Sequence, residues 1–299
     1  MTDAPEPHRV GRHLLGPHVV GQRVVVRHLL PDGRASDVLG VCTSWGAETV
    51  VIRSDRGPVE VAIADIVTGK PVPPRPSVRH RVAAHDVGLH VASLWPSLTT
   101  EPLGSWVLRC SPPLGGRLRR RGNSALAMTD PGLSLAAAGE RVRAFYAELD
   151  QAPLLQVEAG GELEASLTPL GFTPLGGGDA HCQLASVSRA LRAAGPAPGE
   201  GRLTEDGPRC VVEYADGPVV ARGQAALDGD WLGLHGLFVG PSHRRRGLGT
   251  MVIADLLDWG ASLGATTAWL HVETDNDAGI AAYERLGFVT HHTSRFLSG

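Results

Sequence analysis

The chain has 299 residues, a formal net charge of −3 and 42% hydrophobic residues, enough length for two or three domains with buried cores. So small a charge argues against a general affinity for nucleic acid. Cys42, Cys110, Cys182 and Cys210 lie far apart, with no C-x-x-C pair and no histidine cluster at ligand spacing, which argues against both a disulfide scaffold and a bound metal.

Residues 1–15 are expected to be a flexible terminus, polar and proline-containing from Met1 to Val10. They lack the apolar stretch of a signal peptide, and no later run approaches the ~20 apolar residues of a membrane span. A cytoplasmic protein without a membrane partner is expected. Residues 16–70 alternate in the manner of strands, Val24 with Val26, Val50 with Ile52, and Val59 with Val61 and Ile63. Pro31-Asp32-Gly33 and Asp55-Arg56-Gly57-Pro58 punctuate them. Five short strands in so few residues predict a small closed, SH3-like barrel, with Trp45 read as core. The run from Pro71 to Pro76 predicts a stiff extended linker.

Residues 77–195 form the next module. A helix is predicted between Ser77 and Trp95, then strands at Trp106–Cys110 and Asn123–Met128. Val142, Phe145, Tyr146 and Leu149 share a helix face, Leu154–Val157 reads as a strand, and Leu170-Gly171-Phe172 closes the module. Between Pro112 and Gly122 lie Arg117, Arg119, Arg120 and Arg121. A solvated loop is the favoured reading of this run, with contact to phosphate or an acidic acceptor as the alternative.

Residues 200–299 carry the most specific pattern. Leu234 to Val239 reads as a buried strand, followed by the loop Gly240-Pro241-Ser242-His243-Arg244-Arg245-Arg246-Gly247-Leu248-Gly249-Thr250 and the start of a helix near Gly249 or Thr250. Glycines let successive amides converge, and the helix start adds unpaired N–H groups and positive dipole, so a diphosphate fits there. Val252, Leu256, Trp259 and Leu263 form the buried stripe of that helix. Thr266–Val272 predicts a second strand. A helix carrying Asn276 and Tyr283 seven residues apart, on one face, ends at Leu286-Gly287-Phe288.

This order of parts resembles the GNAT superfamily of N-acetyltransferases, whose acetyl-CoA loop R/Q-x-x-G-x-G/A is matched by Arg244, Gly247 and Gly249. The resemblance implies an α+β fold with a mixed central sheet flanked by helices. The repeated Leu-Gly-Phe ending extends it to tandem halves, which place Leu167 where Tyr283 stands and Gly160 where Asn276 stands. The first half is therefore expected to be degenerate. A barrel followed by two such halves is similar to a set of actinobacterial acetyltransferases, and the Gly- and Pro-rich composition points by association to a bacterial source. Those relatives have a plainer Gly-Arg-Ala-Asn-Ser segment where this chain has its arginine run.

By this resemblance acetyl-CoA is the cosubstrate. Leu237, Phe238 and Val239, on a strand that splays, would meet its pantetheine arm and thioester oxygen. Arg244, Arg245, Arg246, Gly247, Leu248, Gly249 and Thr250 would hold the pyrophosphate, and Asn276 would lie on the cofactor side. Tyr283 would be the general acid for the thiolate. For the general base three residues stay open: His235, which the strand period puts on one face with Leu237 and Val239, and His271 and Glu273 on the next strand. The acceptor is an amine of a small molecule or protein, attacked directly in a ternary complex, and a homodimer is one assembly open to the chain. The rival reading is an acetyl-CoA-binding regulatory or partner-recognition module with little turnover. A third, nucleic-acid binding through the arginine run, would require salt-dependent association.

Overall fold

A computed structural model describes residues 15–54, 57–72, 81–113, 115–196 and 201–299. The predicted terminus up to Leu14, and the linker from Pro73 onward, lie outside these residues. The chain divides into two compact units, Met1–Ser77 and Val78–Gly299.

The first unit is an antiparallel sheet of β1 (Arg23–Leu29), β2 (Ala35–Trp45), β3 (Thr49–Ser54), β4 (Gly57–Ala62) and β5 (Ile66–Pro71), in the order β4-β3-β2-β1-β5. Alternation does what its period demands: Val24, Val26, Val50 and Ile52 are completely buried, and Trp45 packs against this core. Two expectations need correction. Ile63 leaves the strand for a 3-10 turn over Ile63–Asp65. That turn delivers β5 to the far edge of the sheet, beside β1, and β4 and β5 do not pair, so the sheet is not a hydrogen-bonded closed barrel. Pro58 in β4 and Pro71 at the end of β5 withhold ladder donors, which suits both strands to edges.

The second unit begins with α1 (Ala84–Leu89) and a 3-10 turn (His90–Leu94), shorter than the predicted helix. Its first half contains β6 (Thr99–Leu103), β7 (Trp106–Cys110), β8 (Ala125–Leu126), α2 (Leu135–Glu148), β9 (Leu154–Glu158), α3 (Glu162–Leu167), β10 (Thr173–Pro174) and β11 (Ala180–Ser186). The second half contains α4 (Val187–Ala194), β12 (Arg202–Asp206), β13 (Arg209–Ala215), β14 (Val219–Asp228), β15 (Trp231–Val239), α5 (Leu248–Ser262), β16 (Thr267–Glu273), α6 (Asp277–Arg285) and β17 (Val289–Ser298). The strand predicted over Asn123–Met128 shrinks to two residues because Asn123 folds back, its Nδ2 donating to Ser111 Oγ at 3.0 Å and to the Arg119 carbonyl at 3.1 Å.

One twelve-stranded sheet joins the halves, in the order β12-β13-β14-β15-β16-β11-β17-β9-β8-β7-β6, with β10 on β17. Each half has one parallel pair, β8 with β9 and β15 with β16, linked by a crossover helix. The final strands are exchanged. β17 pairs with β9 of the first half, and β11 pairs with β16 of the second. Separating the halves would strand both ladders, so the repeat folds as one layer.

Both closing motifs share one geometry. The Phe172 amide donates to the Leu167 carbonyl at 3.3 Å, and the Phe288 amide to the Tyr283 carbonyl at 3.1 Å, which puts Leu167 and Tyr283 in equivalent places. Val252, Leu256 and Trp259 are buried on α5, and Val142 and Tyr146 on α2. Leu263 and Leu149 depart from their predicted stripes: each is the last, C-capping residue of its helix and is exposed. No helix among the described residues is long and apolar enough to cross a membrane.

Candidate active site

The loop before α5 is shaped by two left-handed residues, Arg245 (φ 61°) and Gly247 (φ 81°). Gly247 is the N-cap of α5, which starts at Leu248, and offers no side chain to its free amides. The helix start therefore keeps its unpaired N–H groups and positive dipole end available to an anion. Arg244 is tied back through Nε to the Val239 carbonyl at 3.3 Å. Leu237, Phe238, Val239, Arg244, Arg245, Gly247, Leu248, Gly249, Thr250 and Asn276 all line a groove of about 730 Å³. Arg246 does not line it; the turn that brings Arg245 into the groove leaves its neighbour outside.

The strand bearing the loop splays. Pairing of β15 with β16 stops at Leu234 and Leu270, although both strands continue. On the other side β15 is bulged against β14: His235 pairs with Gln224 and Phe238 with Arg222, so two residues, Gly236 and Leu237, face one. Gly236 takes φ 63°, a conformation costly for any side chain. The bulge breaks the period-two alternation, so the expectation that His235 shares a pleat face with Leu237 and Val239 fails. It also opens a channel of about 240 Å³ between the strands, lined by His235, Leu237, His271, Glu273, Asn276 and Tyr283 among others.

Asn276 caps α6, its Oδ1 accepting from the Gly279 amide at 3.0 Å. One helix face on, Tyr283 is half-buried and packs edge-on against Phe288, with ring centroids 5.9 Å apart. Burial raises its pKa, so the hydroxyl keeps its proton at neutral pH.

Beyond the channel the space widens into a cleft of about 800 Å³. Its walls are Leu94 and Trp95 from the 3-10 turn after α1, the arginine run 117–121, and Arg222, Gln224, His235, Trp269, His271, Glu273 and Asp275. Trp95 meets the His235 ring edge-on at 5.5 Å, and Trp269 meets His271 at 5.7 Å. Burial, aided by Arg119 and Arg209, lowers the His235 pKa to about 4. Burial, with Arg121, His292 and Arg109, lowers His271 well below its ordinary value. Both imidazoles are neutral at pH 7.

The arginine run is both solvated and cleft-lining: Arg117, Arg119 and Arg120 are exposed, as the solvated-loop reading has it, and together with the half-buried Arg121 they line the cleft. Their charge was visible in the sequence, but its destination depends on contacts such as Arg120 Nη1 donating to the Gly177 carbonyl at 3.1 Å, some sixty residues away. Trp95, Arg222, Gln224 and Trp269 carried no local signal at all. No group of three or more metal-ligating side chains occurs among the described residues.

Residues 204–297 match the family model described as "Probable histone acetyltransferase Rv0428c C-terminal", and residues 18–70 the model "Rv0428c N-terminal Sm-like domain". The [ribosomal protein bS18]-alanine N-acetyltransferase of Salmonella typhimurium is 46% identical over 55 residues, 18% of this chain and 37% of that relative, so the match spans little more than a third of the relative's length. A GCN5-related N-acetyltransferase from Kribbella flavida superposes with a TM-score of 0.56 at 19% identity, covering 72% of this chain and 95% of that one. A conserved protein of unknown function from Staphylococcus epidermidis gives a TM-score of 0.50 at 10% identity, covering 74% and 98%. The splayed strands and the uncapped helix start thus lie within residues 204–297, the part that matches the acetyltransferase model, and the chain shares its fold with that GCN5-related N-acetyltransferase.

Proposed function

We propose that the chain is an acetyl-CoA-dependent N-acetyltransferase that joins donor and acceptor amine in one ternary complex. The observation that carries this reading is the continuity of three spaces. The channel between β15 and β16 shares Leu237, Ile253 and Asn276 with the groove at the α5 N-terminus, and His235, His271 and Glu273 with the wide cleft. A thioester lying in the channel, its diphosphate on the amides of residues 245–250, would meet an amine entering from the cleft. Acetyl-CoA supplies an activated acyl carbon there. Holding both reactants supplies most of the entropic advantage.

The amine nitrogen bonds to the thioester carbon, the carbon–sulfur bond breaks, and the Tyr283 hydroxyl gives its proton to the departing sulfur. The proton shed by the new amide nitrogen passes to solvent, from which the tyrosinate is reprotonated. Backbone groups of β15 beyond Leu234, left without β16 partners, are the donors for the carbonyl oxygen.

Neither imidazole suits the part of strong base. Moving a proton from an ammonium of pKa ~10 to His235, at about 4, is uphill by roughly 8 kcal/mol. Solvent is the better proton acceptor, with His235 and His271 as neutral hydrogen-bond partners that orient the free amine. The bS18-alanine enzymes, by their name, acetylate a protein amine; a protein or small-molecule amine serves here. Thiol release from acetyl-CoA with a panel of amines tests the proposal. Tight binding without release on any amine would favour the recognition-module reading instead.

A further inference from the structure

We infer that the acceptor is an anionic amine, one whose amino group is carried on a skeleton bearing a carboxylate or phosphate. This deepens the N-acetyltransferase reading and rests on it. The geometry is one-sided. Five guanidinium groups, those of Arg117, Arg119, Arg120, Arg121 and Arg222, line the cleft against the two carboxylates of Glu273 and Asp275. None of the five makes an ion pair within the described residues. His235 and His271, neutral at pH 7, do not alter the balance.

The wall itself is also rich in donors. Three residues lining the cleft have a fully enclosed polar atom with no partner: Arg121 Nε, Trp95 Nε1 and Trp269 Nε1. All three are donors and none can accept. These three atoms are enclosed behind the wall; the donors that face the open cleft are those of the exposed Arg117, Arg119, Arg120 and Arg222, and guanidinium donors are best satisfied by carboxylate or phosphate oxygens. A cationic acceptor such as a lysine-rich tail or a polyamine would bring further donors and like charge.

The arginines do not serve the cosubstrate's diphosphate in this arrangement. The groove at the α5 N-terminus and the wide cleft share no lining residue and meet only through the channel. The same positive field lowers the pKa of an ammonium held beside it, so an acceptor anchored by its anionic end presents a more readily freed amine at the channel mouth. Anchor and activation come from one set of charges.

Steady-state transfer from acetyl-CoA to matched amines tests the inference: glutamate against glutamine amide, phosphoethanolamine against ethanolamine, and tripeptides Ala-Asp-Glu, Ala-Asn-Gln and Ala-Lys-Lys. The expected result is kcat/KM at least about tenfold higher for the anionic member of at least one set, carried mainly in KM. The set that responds identifies the source as free carboxylate, phosphate or acidic N-terminus. Arg117→Gln and Arg222→Gln, both at exposed positions outside the channel, should each shrink that preference severalfold and leave the Kd for acetyl-CoA unchanged. Equal or better use of the neutral and lysine members, or an undiminished preference in both variants, overturns the inference. Should no amine be acetylated, the transferase reading fails separately. Calorimetry of glutamate and inorganic phosphate with acetyl-CoA-loaded protein then decides the present claim: binding weakened by Arg222→Gln sustains it, and no binding or unaltered binding ends it.

Discussion

The starts of α2 and α5 occupy equivalent places in the two halves, each leading the crossover between parallel strands, yet their chemistry is opposite. At α2, Ser134 is the N-cap and its Oγ accepts from the Ala137 amide at 3.3 Å, while Asp130 Oδ1 accepts from the Gly132 amide at 2.8 Å. Glu158 and Glu162 line the adjoining groove. At α5 the cap is a glycine, the amides are free, and Arg244 and Arg245 stand beside them. A side-chain oxygen at the cap satisfies the helix internally, whereas its absence leaves the same backbone as an anion site. One position thus separates a capped helix start from an open one. The second contrast is Leu167, wholly buried, against Tyr283, half-buried and facing the channel.

The contrast is open to direct attack. Tyr283→Leu copies the first half into the second and is expected to lower kcat by about 10²-fold or more, with the Kd for acetyl-CoA nearly unchanged; stopped-time thiol release measures it. Unaltered turnover would remove Tyr283 from the chemistry.

Next in size is an acid effect at the seam, where His271, Cys182 and His292 lie side by side on β16, β11 and β17. Burial, and His291 beside it, hold the buried His292 at about 4, below the unfolded value of ~6.5. The unfolded chain therefore binds more protons across that interval, and stability present above pH 6.5 is lost as pH falls toward 4, by on the order of 3 kcal/mol. Urea melts at pH 7 and pH 5 should show the loss, and His292→Gln should lessen it, with His235 and His271 keeping their own shares.

Gly247→Asp puts a carboxylate where an anion is expected to bind. Aspartate tolerates the left-handed conformation at about 1 kcal/mol, so the fold survives while the Kd for acetyl-CoA rises roughly tenfold. Calorimetry that shows equal affinity would place the diphosphate elsewhere. The smallest effect belongs to the first half: Ser134→Ala is expected to cost about 1 kcal/mol of stability without touching acetyl-CoA affinity. A changed affinity would mean that α2 is not merely structural.

What could be read along the chain was short in range. Caps, turns and stripes such as Asn276, Leu286-Gly287-Phe288 and Val252-Leu256-Trp259 act within a turn or two, so their residue types carry their geometry, while α5 starts at Leu248, slightly before the expected Gly249 or Thr250. The repeat of Leu-Gly-Phe likewise located Leu167 opposite Tyr283. Where local pattern misled, a distant partner had intervened. The bulge at Gly236 depends on pairing with β14, the exposed ends Leu149 and Leu263 depend on where each helix leaves its core, and β4 and β5 end at opposite edges because β5 finds β1.

The sequence by itself determined the strand, loop, helix, strand and helix order from Leu234 to Phe288, the glycine-rich start of α5 and the place of Leu167 opposite Tyr283, because each rests on a few consecutive residues. Tertiary structure alone decided that β11 and β17 change halves and that the arginine run closes over His235 and His271. Strand exchange and cleft assembly join segments as far apart in the chain as Leu94 and Phe296, and the selection of one partner among many is made by packing and hydrogen bonding in the whole sheet rather than by any local propensity.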